Sequence, residues 1–206
     1  MTSSEAGART TAAALDGATA DRLLDATERL VRQIGINKTS MADVARAAGV
    51  ARGTLYRYFD SRETLLRALT QRTTDRFFED VAEAMDARTT LSEQVGEFSE
   101  LMIRALHPPA DATLGTQASM VRMLATEGAQ ALRRTSKLLR PYIEAARERG
   151  EVRGDLDGND ASEWLARMLL SFTVFQASST YEADDPQSVS SFVRRYAIDG
   201  LRAPMD

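Results

Sequence analysis

The chain has 206 residues, of which 43% are hydrophobic and 27% charged, and its formal net charge is -4. This is the composition of an ordinary soluble globular protein of one or two domains. It contains no cysteine, which excludes disulfide frameworks, thiolate chemistry and zinc–sulfur sites. No apolar run approaches the roughly 20 residues of a membrane span, and the N-terminus lacks the apolar core of a secretion signal. We therefore expect a cytoplasmic protein without a membrane segment, and we interpret residues 1–19 as a flexible arm.

Basic residues are concentrated in the first part of the chain. Residues 1–76 carry 12 Lys and Arg against 9 Asp and Glu, whereas residues 77–206 carry 14 against 21. A locally basic segment on an acidic chain indicates an anionic partner for one end, although a solvated charged face would give the same pattern.

Two helices are predicted in succession before residue 49. The first runs from Asp21 to Ile34, with a stripe of apolar residues and a glycine after it. The second follows Ser40, which with Asp43 three residues later forms an N-terminal capping pattern. Its apolar positions recur at i, i+3, i+4 and i+7, which is one face of a helix: Met41, Val44, Ala45 and Ala48.

A tight turn and a third short helix come next. Gly49 ends the second helix, since glycine tolerates the backbone angles of a helix end. Leu55 and Phe59 are four residues apart and share the predicted buried face. The opposite face is polar, basic and aromatic, as recognition of the DNA major groove requires. It carries Gly53, Thr54, Tyr56 and Arg57.

A long fourth helix is predicted from the acidic cap at Asp60–Glu63 onward. No glycine or proline interrupts it before Thr89, so it exceeds 20 residues and links the N-terminal part of the chain to the remainder. The rest of the chain is also helical by periodicity. We expect Pro141 to kink or divide the helix that contains it.

The last two predicted helices have the pattern of an interface. Residues 164–176 are apolar on two opposite faces, which predicts burial on both sides. Val189, Val193, Tyr196 and Gly200 form a narrow seam on the last helix. We expect these two helices to pair across a two-fold axis in a homodimer. A buried helical hairpin in a monomer is the alternative.

The run from Asp21 to Leu69 resembles the DNA-binding domain of the TetR family of bacterial transcriptional regulators, chiefly through the motif GVARGTLYRYFDSRETLL at residues 49–66. The resemblance implies an all-α homodimer in which a helix-turn-helix domain is joined by a long helix to a C-terminal helical domain for ligand binding and dimerisation. The domains would span residues 20–67 and 68–206. The partners implied are double-stranded operator DNA and a small hydrophobic inducer, so the chain would act as a repressor that its ligand releases.

The resemblance also assigns DNA contacts by position. Thr39 and Ser40 would contact phosphate, and Arg62 would hold a phosphate where the family usually has lysine. On that basis Arg62→Ala lowers the salt slope of DNA binding by about one unit. The recognition helix would contribute the remaining contacts: Arg52, Gly53, Thr54, Tyr56, Arg57 and Tyr58.

An apolar ligand cavity is expected in the second half, because methionine and aromatic side chains suit a permissive hydrophobic pocket. Plain core is the alternative for any one of these side chains. The candidate lining residues are Phe77, Met85, Phe98, Met102, Met120, Met123, Trp164, Met168, Phe172 and Phe175.

Three other functions are alternatives to this interpretation. The motifs of nucleophilic hydrolases, phosphate loops and dinucleotide-binding sites are missing, and we expect no catalytic residue, metal or cofactor. A ligand-independent DNA-binding protein would have the same N-terminal pattern. So would a transcriptional activator.

Overall fold

The computed structural model describes the backbone of residues 3–107 and 115–198 and the side chains of residues 17–107 and 128–198. Within these ranges the chain is helical and has no β-strand, which confirms the predicted all-α fold. None of the helices described there is long and apolar enough to cross a bilayer. A 3-10 turn (Ile36–Lys38) and a π-helical turn (Arg194–Ile198) accompany the α-helices. These are α1 (Ser3–Ile34), α2 (Met41–Ala48), α3 (Arg52–Tyr58), α4 (Arg62–Asp86), α5 (Leu91–Leu106), α6 (Gly115–Glu148), α7 (Gly158–Val174) and α8 (Pro186–Val193).

The described residues form two compact units. The first extends to Thr73, and the second comprises residues 74–107 and the described residues from Thr116 onward. α4 belongs to both, because it continues without a break across Thr73 and Thr74. Its 25 residues confirm the long fourth helix predicted from the sequence.

The first unit is built around the apolar faces of α1, α2 and α3 and the start of α4. Leu23, Val44 and Leu55 have no exposed surface, and Phe59 and Leu65 are almost fully buried. Burying one such side chain contributes roughly 1.5–3 kcal/mol before entropy is counted. The predicted apolar face of α2 is buried as a whole, since the cluster also contains Met41, Ala45 and Ala48.

α1 is longer than the sequence predicted. It begins at Ser3, so a helical backbone replaces the flexible arm expected before Asp21. The segment is rich in alanine, which has the highest helix propensity of all residues and needs no packing partner to favour a helix. The predicted end at Ile34 is confirmed.

The second unit has α5 at its centre. The apolar residues of α5 that recur at helical spacing are buried along its whole length, from Leu91 through Val95 and Phe98 to Leu106. α5 packs against α7 and α8. A capping box starts the helix: Thr90 accepts from the Glu93 backbone N–H, and the Glu93 carboxylate accepts from the Thr90 N–H at 3.1 Å.

α6 passes through Pro141 without dividing, contrary to one of the two outcomes expected for that residue. Leu139 and Ile143 lie on either side of the proline and are both buried. Proline removes one helical hydrogen bond and clashes with the preceding turn, at a cost of about 3 kcal/mol. Burial of Leu139 and Ile143 in the core stabilises the helix on both sides of the proline.

α7 starts earlier than predicted, at Gly158, because Asp157 caps it. The Asp157 carboxylate accepts from the backbone N–H of Asn159 at 2.8 Å and of Asp160 at 3.0 Å. Both hydrogen bonds favour the ionised form, so the pKa of Asp157 is lowered.

Only one face of α7 is buried against the side chains that the structure describes. Leu165, Leu169 and Phe172 lie in the core of the second unit. The opposite face was expected to be buried as well, but Trp164 is 42% exposed and Val174 is 66% exposed. No described side chain of the single chain covers this outer face, and its burial in a homodimer stays a prediction.

Candidate nucleic-acid interface

α2 begins at a fully formed cap. The Ser40 hydroxyl accepts from the Asp43 backbone N–H at 3.2 Å and donates to the Asp43 carboxylate at 2.5 Å. The hydrogen bond from Ser40 is the main reason that the pKa of Asp43 is lowered, and the ion pair with Arg46 adds to it. The predicted capping pattern is confirmed, and it fixes where the second helix of the motif starts.

Gly49 makes the turn between α2 and α3. Its φ of 66° and ψ of 36° are left-handed, a conformation that costs any other residue energy. The Val50 N–H then bonds back to the Ala45 carbonyl at 3.0 Å, which closes the end of α2. Because the turn is this tight, the direction of α3 depends on that of α2.

α3 has the two faces that its sequence predicts. Leu55 is fully buried and Phe59 is 7% exposed, so both anchor the helix in the core. Arg52 and Arg57 lie on the exposed surface. Tyr56 is 49% exposed, so its phenol ring is accessible on the same side of the helix as the arginines.

Gly53 has open space where a side chain would be. A Cβ atom placed on it would meet nothing within 4 Å, and its backbone is helical. Packing within the chain therefore does not require glycine at this position. A glycine here lowers helix stability, but it lets another molecule approach the backbone of α3 closely.

Thr54 and Tyr58 are half-buried. Tyr58 packs partly against the core of the first unit. The guanidinium of Arg57 lies 5.1 Å from the centre of the Tyr58 ring, and its Nη2 is 3.4 Å from the phenolic oxygen. Arg57 and Tyr58 thus form one exposed basic and aromatic edge beside α3.

The three predicted phosphate donors all have partners inside the protein. The Ser40 hydroxyl bonds to Asp43. The Thr39 side chain is buried, and its hydroxyl donates to the Gly35 carbonyl at 3.0 Å. Arg62 is half-buried and donates to backbone carbonyls of the connection before α2. Phosphate contact by these residues stays a prediction.

Two arginines that the sequence did not single out hold the unit together. Arg22 donates to the Ala48 carbonyl at the end of α2. Arg72 lies between α1 and α4 and pairs with Asp25 and Glu28. Their partners are 26, 47 and 44 residues away, so no local pattern could have revealed them.

The predicted ligand-lining residues separate into three groups. Met85, Phe98, Met102 and Phe172 are buried in the core of the second unit, where Phe77 packs against it and Met168 is half-buried. Trp164 and Phe175 are exposed, so neither belongs to that core. The side chains of Met120 and Met123 lie outside the described residues. A ligand role for any of them stays a prediction. Among the side chains described, no three His, Asp or Glu residues are grouped as metal ligands.

Together, a capped support helix, a left-handed glycine turn and an exposed basic recognition helix define a helix-turn-helix protein of the DNA-binding class. Comparison with known proteins makes this specific. Residues 23–69 match the family model of bacterial regulatory proteins of the tetR family. Residues 23–69 therefore form a DNA-binding domain of the TetR family of transcriptional regulators.

Relatives resemble the chain over different lengths. An uncharacterized HTH-type transcriptional regulator of Mycobacterium tuberculosis is 54% identical over 57 residues, which is 28% of each chain. The HTH-type transcriptional repressor KstR2 of Rhodococcus jostii is 28% identical over 193 residues, 88% of this chain and 90% of its own. Among solved structures, the transcriptional regulator FadR from Bacillus subtilis in complex with stearoyl-CoA superposes with a TM-score of 0.60 at 20% identity. That superposition covers 88% of this chain and 98% of FadR.

Proposed function

We propose that the protein is a homodimeric transcriptional repressor that binds operator DNA through α3 and is released by a small hydrophobic molecule. The observation that carries the proposal is the exposed surface of α3, which combines Arg52, Arg57, Tyr56 and the open backbone at Gly53 over a buried Leu55–Phe59 face. In this proposal residues 20–67 bind DNA, whereas residues 68–206 bind the ligand and form the dimer. Binding to chromosomal DNA places the protein in the cytoplasm.

The chemistry of α3 fits a major groove. Arginine pairs with phosphate or with the O6 and N7 atoms of guanine, and the Thr54 side chain offers a methyl group for thymine and a hydroxyl. Gly53 lets the helix backbone approach the duplex because no side chain stands between them. Tyr56 and Tyr58 supply hydroxyl groups at the flank of the helix.

Selection from a random-sequence pool of duplexes tests DNA binding. The full-length chain should enrich a sequence with two-fold symmetry whose half-sites are one helical turn or a multiple of it apart. Arg57→Ala should weaken binding to the enriched duplex. Failure to enrich any sequence would contradict the function.

The proposed dimer uses the outer face of α7 and Tyr196. Of the seam predicted on the last helix, Val189 and Val193 are instead buried in the chain's own core, because α8 packs against α5. Trp164, Val174, Phe175 and Tyr196 leave large apolar side chains exposed in the single chain. The proposal takes these exposed side chains as parts of one interaction surface. A symmetric operator also favours a two-fold symmetric protein.

The fluorescence of Trp164 measures formation of the proposed dimer, because Trp164 is the only tryptophan in the chain. Its fluorescence should shift to shorter wavelength as the protein concentration rises and the indole ring becomes buried. Val174→Asp should keep the emission at the position of exposed tryptophan and give a monomer by sedimentation. Trp164 emission that is independent of concentration, together with a monomeric mass for the wild-type chain, would argue against this interface.

The ligand proposal is supported by the side chains that fill the second unit. Met85, Met102 and Phe98 are adaptable or aromatic groups in one buried cluster, and Phe77 meets Phe98 edge to face at 6.3 Å. FadR of Bacillus subtilis was solved with stearoyl-CoA, and long-chain acyl-CoA is therefore the first probe to use. An acyl-CoA that binds should lower affinity for the selected duplex, since ligand and DNA favour different states of the dimer. Binding without any effect on DNA affinity would contradict the mechanism.

A further inference from the structure

Side chains of the first unit donate hydrogen bonds to the backbone carbonyls of the connection between α1 and α2. The Arg62 Nε donates to the Thr39 carbonyl at 2.9 Å, and the Arg62 Nη2 donates to the Ile36 carbonyl. The Thr39 hydroxyl donates to the Gly35 carbonyl. One guanidinium on α4 thus holds two points of a connection that leads directly into the cap of α2.

The other end of α2 is held in a similar way. The Nη2 atom of Arg22, on α1, donates to the carbonyl of Ala48 at 3.0 Å. Ala48 is the last residue of α2, where carbonyls lack helical partners and carry partial negative charge. A positively charged donor there both satisfies the carbonyl and stabilises the helix end. α2 therefore has a guanidinium at each end, one from each neighbouring helix.

We propose that Arg22 and Arg62 are positioning residues for DNA recognition, which hold α2 between α1 and α4 and so set the placement of α3 on the duplex. The proposal rests on the proposed DNA-binding function. It gives Arg62 a role different from the phosphate contact that the family resemblance implies.

The packing of the first unit explains how a hydrogen bond at the Thr39 carbonyl affects the position of α3. α2 has eight residues, and Gly49 joins it to α3 by a tight turn. Val44 on α2 and Leu55 on α3 belong to the same buried cluster, so a shift of one helix moves the other. Recognition requires contact groups to be held within about 0.5 Å of their working positions. The loss of one anchor of α2 should therefore impair recognition without removing any group that touches DNA.

Arginine suits this role better than lysine. Its planar guanidinium carries donors that point in different directions, and here Nε and Nη2 serve two different carbonyls. A lysine keeps the charge but has no donor in place of Nε. For a phosphate contact, in contrast, lysine is an adequate substitute because the interaction depends mainly on charge. Arg62→Lys therefore separates the two roles.

The test uses the full-length chain, the duplex that the wild-type protein selects from a random pool, and a scrambled duplex of the same composition. Arg62→Lys should lower affinity for the selected duplex about tenfold, as expected for the loss of one charge-assisted hydrogen bond. Affinity for the scrambled duplex and the salt slope should not change, because the number of charges is the same. Arg22→Ala should likewise lower discrimination between the two duplexes.

Arg57→Ala is the matched control, since it removes an exposed arginine from the proposed contact surface itself. It should weaken binding to both duplexes and reduce the salt slope by about 0.9 unit. Arg62→Ala should differ from it by losing discrimination while the salt slope is kept. Circular dichroism melting verifies that each variant is folded at the temperature of the titration.

Two results would overturn the positioning role. One is wild-type affinity of Arg62→Lys for the selected duplex. The other is an Arg62→Ala salt slope reduced by about one unit with discrimination intact, which would identify a phosphate contact. If the wild-type chain selects no duplex at all, the proposed DNA-binding function fails first and the inference fails with it.

Discussion

The Nη1 atom of Arg72 on α4 lies 2.8 Å from the Oδ1 atom of Asp25 on α1. The Nη2 atom of the same guanidinium lies 3.1 Å from the Glu28 carboxylate, and only 14% of the arginine side chain is exposed. Three residues later on α4, Asp75 pairs with Arg134 of α6 at 2.6 Å. Adjacent turns of α4 thus form ion pairs with two different helices. Arg72 lies before the boundary between the two units at Thr73 and Thr74, and Asp75 lies after it.

Arg72→Ala should lower the free energy of unfolding of the first unit by about 1–2 kcal/mol. It removes a largely buried cation and leaves two partly buried carboxylates without that partner. Urea unfolding followed by circular dichroism measures the change. Arg67→Ala, at an exposed position of the same helix, is the control and should stay within about 0.5 kcal/mol of the wild type. Equal effects of the two substitutions would show that the Arg72 ion pairs add nothing.

Gly53→Ala should separate stability from DNA binding. Alanine favours a helix by about 0.8–1 kcal/mol over glycine, and a Cβ at residue 53 meets no atom of the protein, so thermal stability should rise or stay the same. Affinity for the selected duplex should fall, because the added methyl group keeps the backbone of α3 away from the DNA.

Gly49→Ala is the matched substitution for Gly53→Ala. The backbone at Gly49 is left-handed, so alanine at this position should lower the free energy of unfolding by about 1 kcal/mol. Thermal melting and duplex titration of both variants test this contrast. Wild-type DNA affinity of Gly53→Ala would show that the duplex does not approach residue 53 closely.

Tyr142 should make stability depend on pH in the alkaline range. Burial, assisted by its hydrogen bond to Asp86 at 2.8 Å, raises the pKa of Tyr142 from 10.0 to about 12. Because the folded protein resists ionisation of the phenol, its contribution is complete below pH 10.0 and is lost as the pH rises to about 12.

Tyr142→Phe should reduce this alkaline loss, as measured by urea unfolding at a series of pH values. Absorbance titration of the phenolate should show one fewer late-ionising tyrosine in the variant. An unchanged pH profile of stability would mean that Tyr142 ionises equally in the folded and unfolded chain.

Gly96→Ala should destabilise the contact between α5 and the end of α8. A Cβ on this buried glycine would overlap the guanidinium of Arg194, whose Nε is buried without a hydrogen-bond partner. We expect a loss of about 1 kcal/mol, at the low end for overpacked sites, because the overlapping atoms are the end of a flexible side chain. The double variant Gly96→Ala/Arg194→Ala removes the overlap and should recover part of that loss in urea unfolding. Equal stability of the single and double variants would exclude the overlap as the cause.

Local features of the helix-turn-helix were predictable because each depends on neighbours in sequence. The Ser40 cap, the Gly49 turn and the buried Leu55–Phe59 face follow from hydrogen bonds and helical periodicity within a few residues. The start of α1 was missed, since alanine propensity is a weak signal beside a pattern of apolar residues. The sequence also could not show what covers Trp164 and Val174, because periodicity identifies apolar faces but not their packing partners.

The sequence by itself determined an all-helical chain with a helix-turn-helix and its recognition helix, because capping, turn chemistry and periodicity act over short distances along the chain. The resemblance to TetR family regulators came from the motif at residues 49–66. The tertiary structure alone decided which acceptors within the chain each side chain meets. Arg62 resembles a phosphate ligand in sequence, but packing places it against the carbonyls of Thr39 and Ile36, 23 and 26 residues away. A guanidinium bonds to whichever acceptors the folded helices bring near it, and that proximity exists only after α1, α2 and α4 have packed around a common core.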